Sequence, residues 1–326
     1  MDTHLINSIR IILFLLIVLT ASSISAADVE LDEPILPLPL VQDLAPKVVA
    51  IGDKLFHDPR LSHDNTISCA HCHRLATGGT DMLPKSFGIR GQTGAIKAPT
   101  VYNSAFNFVQ FWDGRAATLE EQVSGPINHP LEMDSSWLEV VNKLKADPEV
   151  LEAFHALYSD GVTPKNIKDA IATFERSLVT SNSRFDQWLR GDESAINDAE
   201  LEGYLKFKDY GCASCHQGMN VGGNMYGYMG TMGNYFSVRD TPVTKADLGR
   251  QNVTGRSEDR FLFKVPSLRL AVINGPYFHD GSTETLEEAI RIMARHQLGR
   301  DIPTKDVKSI ISFLRTLVGE HPRLNP

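Results

Sequence analysis

The chain has 326 residues, 42% of them apolar and 22% charged, with a formal net charge of -8. That length and composition support two cores of ordinary size and exclude a disordered or fibrous chain. The acidic balance speaks against nucleic acid as a partner, because that class of ligand is met by basic surface.

At the N-terminus Arg10 precedes an apolar run at residues 11–19, and small residues follow from Thr20 to Ala27. A positive start, a short apolar run and a small-residue zone predict a secretory signal peptide over residues 1–27. The alternative is an uncleaved membrane anchor, for which the run is short. Prolines at 34, 37, 39 and 46 then predict an extended arm. Pro46 suits a first helical turn, with Val48, Val49, Leu55 and Phe56 as its apolar face, and Asp58-Pro59 ends it.

Residues 74–98 are rich in glycine and read as a functional loop. Phe106, Phe108, Phe111 and Trp112 follow close together and are expected to pack a pocket. Helical periodicity takes over with Trp137, Val140, Val141 and Leu144, then Val150, Phe154 and Leu157. Thr163-Pro164 opens a longer helix through Ile167, Ala170, Ile171, Phe174 and Leu178. The polar stretch 181–197 is the expected domain junction, a helix follows at about 198–207, and 218–234 reads as an irregular loop. Residues 287–296 and 307–317 predict two closing helices, the last with Thr304 as N-cap. Strand signals are scarce, so the expected fold class is mainly α.

All four cysteines fall in two pentapeptides, Cys69-Ala70-His71-Cys72-His73 and Cys212-Ala213-Ser214-Cys215-His216. C-x-x-C-H is the attachment signature of a c-type haem: two thiols form thioethers, and the next histidine is placed to ligate iron. The competing readings are a split zinc site or a redox C-x-x-C, neither of which needs the trailing histidine. Such haems are attached outside the bacterial cytoplasm, which agrees with export and points to the periplasm. An iron with a second protein ligand carries electrons, whereas an open face admits substrate. Methionines 219, 225, 229, 232 and 293 are all candidates for a second ligand, and spacing alone does not choose among them. Gly52 and Phe56 before the first motif echo Gly203 and Phe207 before the second, a weak sign of two related halves.

Over nearly the whole mature length the chain resembles the bacterial di-haem cytochrome c peroxidases. The matching stretches are residues 55–62, 67–73, 98–103, 110–115, 211–216, 276–281 and 293–299, with Gln122, Pro126 and Leu131-Glu132-Met133. The resemblance implies two cytochrome c-like domains, each with one covalent haem: a peroxidatic N-terminal domain (28–182) and an electron-transfer C-terminal domain (183–326). It implies that His216 and Met293 ligate one iron, that His73 is the proximal ligand of the other, and that Trp112 lies between the haems. Glu132 and Gln122 fall at the positions that border the family's peroxide pocket, and a carboxylate there can carry a proton from one peroxide oxygen to the other. The implied reaction reduces hydrogen peroxide to water with electrons from a mono-haem cytochrome c or a cupredoxin, and members often form homodimers.

Two positions depart from the family pattern. Ile89 stands where many members carry a loop histidine that closes the peroxidatic iron, so an open iron is expected unless His63 or His129 substitutes. Lys97 stands where the family has a calcium-binding asparagine, with Asn274 and Pro276 at the carbonyl positions, which weighs against calcium. Two rival functions stay in view, the first because of the missing histidine. One is a maturation enzyme of the MauG type, which oxidises residues of a partner protein and uses tyrosine where Met293 stands. The other is a plain electron-transfer di-haem cytochrome.

Overall fold

Proline at a first helical turn gives up no useful N–H and already has a helical φ, and Pro46, Pro148 and Pro164 each open a helix. The computed structural model describes residues 33–325. Its helices are α1 (Pro46–Phe56), α2 (Cys69–Cys72), α3 (Leu119–Asn128), α4 (Trp137–Lys145), α5 (Pro148–Leu157) and α6 (Pro164–Ser177). They continue as α7 (Arg184–Leu189), α8 (Asp198–Asp209), α9 (Tyr235–Val238), α10 (Gln251–Thr254), α11 (Leu286–Leu298) and α12 (Thr304–Thr316). Two short antiparallel strands, β1 (Tyr226–Tyr228) and β2 (Leu262–Lys264), place Tyr226 opposite Lys264. The fold is mainly α, as expected, but β1 falls inside the stretch expected to be irregular throughout. The signal-peptide expectation lies outside the described residues. No described helix is long and apolar enough to cross a membrane.

Most of the helix starts carry the side-chain acceptor that orphan N–H groups need. Thr118, Ser136, Asp147, Thr163, Asn197 and Thr285 each accept from the first turn of the helix they precede. Thr304 is the exception to its expected role. Pro303 is the N-cap residue, Thr304 is already helical, and its Oγ1 instead accepts from Arg291 Nη2 at 2.8 Å.

Two apolar clusters organise the rest. The first joins α1, α4, α5 and α6 through Ile51, Leu55, Val140, Leu144, Phe154, Ile167 and Ile171. The second joins α7, α8 and α12 through Phe185, Tyr204, Phe207, Val307, Ile310 and Phe313. The same device closes both. An added Cβ at Gly52 would fall 1.9 Å from the Ala170 carbonyl oxygen, and one at Gly203 would fall 2.0 Å from that of Ser309. In each half a glycine therefore lets two helices cross backbone to backbone. Four residues on, Phe56 meets Phe174 and Phe207 meets Phe313, both with ring centroids 5.2 Å apart. The faint echo in the sequence is a repeated helix crossing.

The segment 181–197 is bound firmly into the second cluster. Asp186, fully buried, forms a capping box with Ser183 and accepts two bonds from the equally buried Arg269, at 2.8 and 3.1 Å. Losing one partner of such a pair typically costs about 3–5 kcal/mol. The proline-rich arm docks on the same side: Ile35 and Leu38 are fully buried, and the Gly218 N–H donates to the Pro34 carbonyl at 2.7 Å. Between the clusters, Tyr102, Phe174, Leu178 and Leu270 form a smaller apolar joint. Asn220 reaches across from the second half to the Asn103 carbonyl and to Asn107 Oδ1, at 3.2 and 2.9 Å.

Candidate functional site

Each cysteine motif sits on a single helical turn, α2 for the first and a 3-10 turn at Cys212–Ser214 for the second. A turn of this kind brings residues i and i+3 to one side, so both thiols of a pair and the histidine after them can face one ligand. None of the four cysteines is in a disulfide. Burial pushes Cys72 and Cys212 up to about 11 and raises Cys69 as well. Burial also pulls His73 down and takes His216 to about 4, so both imidazoles are neutral and can offer a lone pair. His73 Nδ1 lies 3.2 Å from the Gly79 carbonyl, an acceptor, which puts the proton on Nδ1 and leaves Nε2 for a metal.

The second motif opens on a cavity of about 470 Å³, a volume within the range of cofactor sites. Cys212, Cys215 and His216 line it, together with Met293. On α11 the residues Ala289, Met293 and Gln297, four apart, all face it. Of the five candidate methionines only Met229 and Met293 line this cavity. Met229 Sδ lies 4.0 Å from Gln297 Nε2, a donor, whereas Met293 has no such partner. Two thiols, a neutral imidazole and a free thioether around one cavity are a donor set that fits a covalently held haem. A structural zinc site wants tetrahedral N and S ligands without a thioether.

Trp112 lines the same cavity with Phe111, whereas Phe108 is exposed and packs edge-on to Tyr226. Of the four clustered aromatics, only Phe111 and Trp112 therefore serve this pocket. Trp112 is held at both ends: its Nε1 donates to the Lys97 carbonyl at 3.1 Å, and its own carbonyl accepts from the Lys264 N–H at 2.8 Å.

Glu132 stands on the turn after α3, and its charge is felt by the Cys72 thiol, which places it beside the first motif. Burial raises its pKa, opposed by His129 and Arg115. The side chain is still 42% exposed, and His129 Nδ1 lies 3.5 Å from Oε1. Arg115 stacks on the Phe111 ring, 3.4 Å from its centroid. Gln122 lies on α3, the helix that ends just before the turn carrying Glu132. Ile89 is fully buried in the first apolar cluster, and its N–H donates to the Glu132 carbonyl at 2.8 Å. The two histidines considered as its substitutes have other company: His63 pairs with Glu139 at 3.0 Å on the surface, and His129 with Glu132.

Among the residues expected near calcium, the structure places a buried ammonium, Lys97, and a buried Asn274 Oδ1 with no hydrogen-bond partner among the described residues. Lys97 is 6% exposed, its Nζ lies 3.2 Å from Thr80 Oγ1, and burial lowers its pKa against the pull of Asp81. Asn274 turns its Nδ2 to the Gly78 carbonyl at 3.2 Å. An ammonium in that place repels the ion that the family's asparagine would attract.

Three further features were not legible in the sequence. Lys264 is a buried cation on the cavity wall. His279, also on that wall, hydrogen-bonds Asp247 at 2.8 Å, and Asp247 is in turn gripped by Arg239. That network is closed by the arginine and needs no metal. Glu175, fully buried beside Cys69, is raised to about 8 by desolvation. The only signal for any of these was a charge inside an apolar pattern, as at Glu175 after Phe174.

A family model described as di-haem cytochrome c peroxidase matches residues 46–194. Cytochrome c551 peroxidase of Nitrosomonas europaea is 46% identical over 300 residues, 91% of this chain and 88% of that protein. The peroxidase Ccp of Escherichia coli is also 46% identical, over 88% of this chain but only 62% of its own length. The methylamine utilization protein MauG of Methylorubrum extorquens is more distant, at 33% over 87% and 82% of the two chains. Among solved structures, a MauG-like protein associated with microbial copper homeostasis superposes with a TM-score of 0.75 at 25% identity, covering 89% of this chain and 96% of that one. Taken with the paired cysteine motifs and the cavity they line, these likenesses show that the chain belongs to the di-haem cytochrome c peroxidase family.

Proposed function

We propose that this peroxidase reduces hydrogen peroxide to water on the His73 side of the molecule, with electrons entering singly on the His216 side. The observation that carries the reading is the unequal company of two otherwise equivalent motifs. A thioether, Met293, shares the cavity of His216, whereas an apolar Ile89 and a carboxyl of raised pKa, Glu132, accompany the first motif. Haem bound at each motif supplies peroxide binding and O–O cleavage on one side and electron storage on the other.

The chain's own residues then have defined tasks. Glu132 takes the proton from the near oxygen of peroxide and returns it to the departing oxygen, so that peroxide, two electrons and two protons yield two waters. Desolvation holds its pKa up toward the working range, where a group both accepts and releases a proton. Gln122 orients peroxide through its amide. Trp112, fixed at both ends by backbone bonds, bridges the two sides as the electron path. The first apolar cluster and residues 28–182 form the peroxidatic domain, and residues 183–326 the electron-transfer domain. A mono-haem cytochrome c or a cupredoxin is the donor, and the mature chain works in the periplasm once residues 1–27 are removed.

Ile89 is a fully buried hydrocarbon and offers no atom to iron, so the enzyme should need no prior reduction. The test is steady-state oxidation of a reduced cytochrome c by peroxide, starting from fully oxidised and from half-reduced enzyme. Equal initial rates are expected. A lag or silence in the oxidised enzyme alone would overturn the open-site reading. Negligible turnover in both, with a long-lived oxidised species, would favour maturation chemistry of the MauG type.

A further inference from the structure

Three buried cations line the cavity of the second motif: Lys97, Lys264 and Arg269. Arg269 is fully spoken for, with two bonds to Asp186 and others to the Met219 and Leu36 carbonyls. Lys97 has Thr80 Oγ1 and the nearby charge of Asp81. Lys264 differs from both: it is 8% exposed, and its Nζ has neither a hydrogen-bond acceptor nor a carboxylate within reach among the described residues. Burying a lone ammonium costs several kcal/mol, and that cost pulls its pKa down to about 8.

The backbone shows that this placement is built in. Lys264 ends β2 opposite Tyr226, and its N–H is tied to the Trp112 carbonyl at 2.8 Å. The backbone of Lys264 cannot leave the cavity wall without breaking the strand pair and the support of Trp112. A cation held in this way, in a cavity that also presents Cys212, Cys215, His216 and Met293, calls for an anion on the ligand. The haem assigned to this cavity carries two carboxylates at its edge.

We propose that Lys264 is the anchor for a propionate carboxylate of the haem held by Cys212, Cys215 and His216, and that its charge raises the reduction potential of that haem. The inference rests on the haem reading of this cavity. A fixed positive charge beside the macrocycle favours the state with one more electron, so the sign follows from electrostatics alone. Because the Lys264 N–H also bonds the Trp112 carbonyl, the same residue would support both the bound haem and the proposed electron path.

The test uses the holoenzyme. Mass spectrometry first counts covalent porphyrins, and potentiometry followed by optical spectra then gives a midpoint for each haem in wild type, Lys264→Met and Lys264→Arg. With two porphyrins attached, the Met variant should show a lower midpoint for the haem of the second motif only, and the Arg variant should restore it. Redox-difference infrared spectra should show a propionate carboxylate band that shifts in the Arg variant, a readout that survives if the Met variant folds poorly. An unchanged midpoint in the Met variant, or an unmoved carboxylate band in the Arg variant, overturns the anchor. Fewer than two porphyrins on the wild type overturns the haem reading, and the anchor with it.

Discussion

The two halves share one helix crossing and differ in what they place around it. Counting on from the paired contacts Gly52–Ala170 and Gly203–Ser309, the buried Leu178 matches the buried Leu317, and the buried Phe174 matches the buried Phe313. The next position breaks the match: Glu175 in the first half stands where the second has Leu314. The first half also offers Ile89 and Glu132 near its motif, and the second offers Met293. A common scaffold positions a histidine after two cysteines, and in the function proposed above the side chains around it set whether an electron is stored or spent.

That contrast can be broken most severely at Glu132. Glu132→Gln keeps the shape and removes the proton carrier, so peroxide turnover on reduced cytochrome c should fall by roughly 10²–10⁴-fold. Both haem spectra should stay unchanged. Turnover within a factor of a few of wild type would remove Glu132 from the chemistry and, with it, the main asymmetry of the halves.

The shared scaffold is tested next, by Gly52→Ala and Gly203→Ala made separately. Each new methyl meets a backbone carbonyl at about 2 Å, which outweighs the gain of about 1 kcal/mol in helix propensity. Each should cost about 1–3 kcal/mol, by a comparable amount, measured as loss of denaturant midpoint. A large cost at one glycine and none at the other would show that the crossings are equivalent only in outline.

The effect smallest per step concerns Glu175, because it is spread over several pH units. Its folded pKa of about 8 lies above the ordinary 4.5 because burial disfavours the carboxylate. The native state therefore keeps a proton that the unfolded chain releases between those values. Stability should fall as pH rises through that window, by at most about 1.4 kcal/mol per pH unit. Glu175→Gln should flatten that slope, and thermal melts from pH 5 to 8 read the difference directly. Parallel slopes in the two proteins would show that Glu175 is already ionised in the native state.

Much of the helical plan was legible because its signals are local. Pro46 and Pro164 mark helix starts by their own geometry, and the stripes of α4, α5, α6 and α12 follow from a period of 3.6. Thr304 misled because a hydroxyl before a helix is a good cap only if nothing else binds it, and Arg291 does so from thirteen residues away. β1 was hidden because a three-residue strand has too few residues to show alternation, and its partner lies 36 positions on.

By itself the sequence determined which thiols and histidines are grouped: spacings of three and one set the two clusters, and no fold is needed to read them. Only the tertiary structure decided which methionine stands open to the cavity, that Ile89 lies buried against Glu132, and that Lys264 points a lone charge inward. Those facts depend on segments tens to hundreds of residues apart meeting in space. A chain carries no local mark of such meetings, because burial and electrostatic environment exist only once the helices have packed.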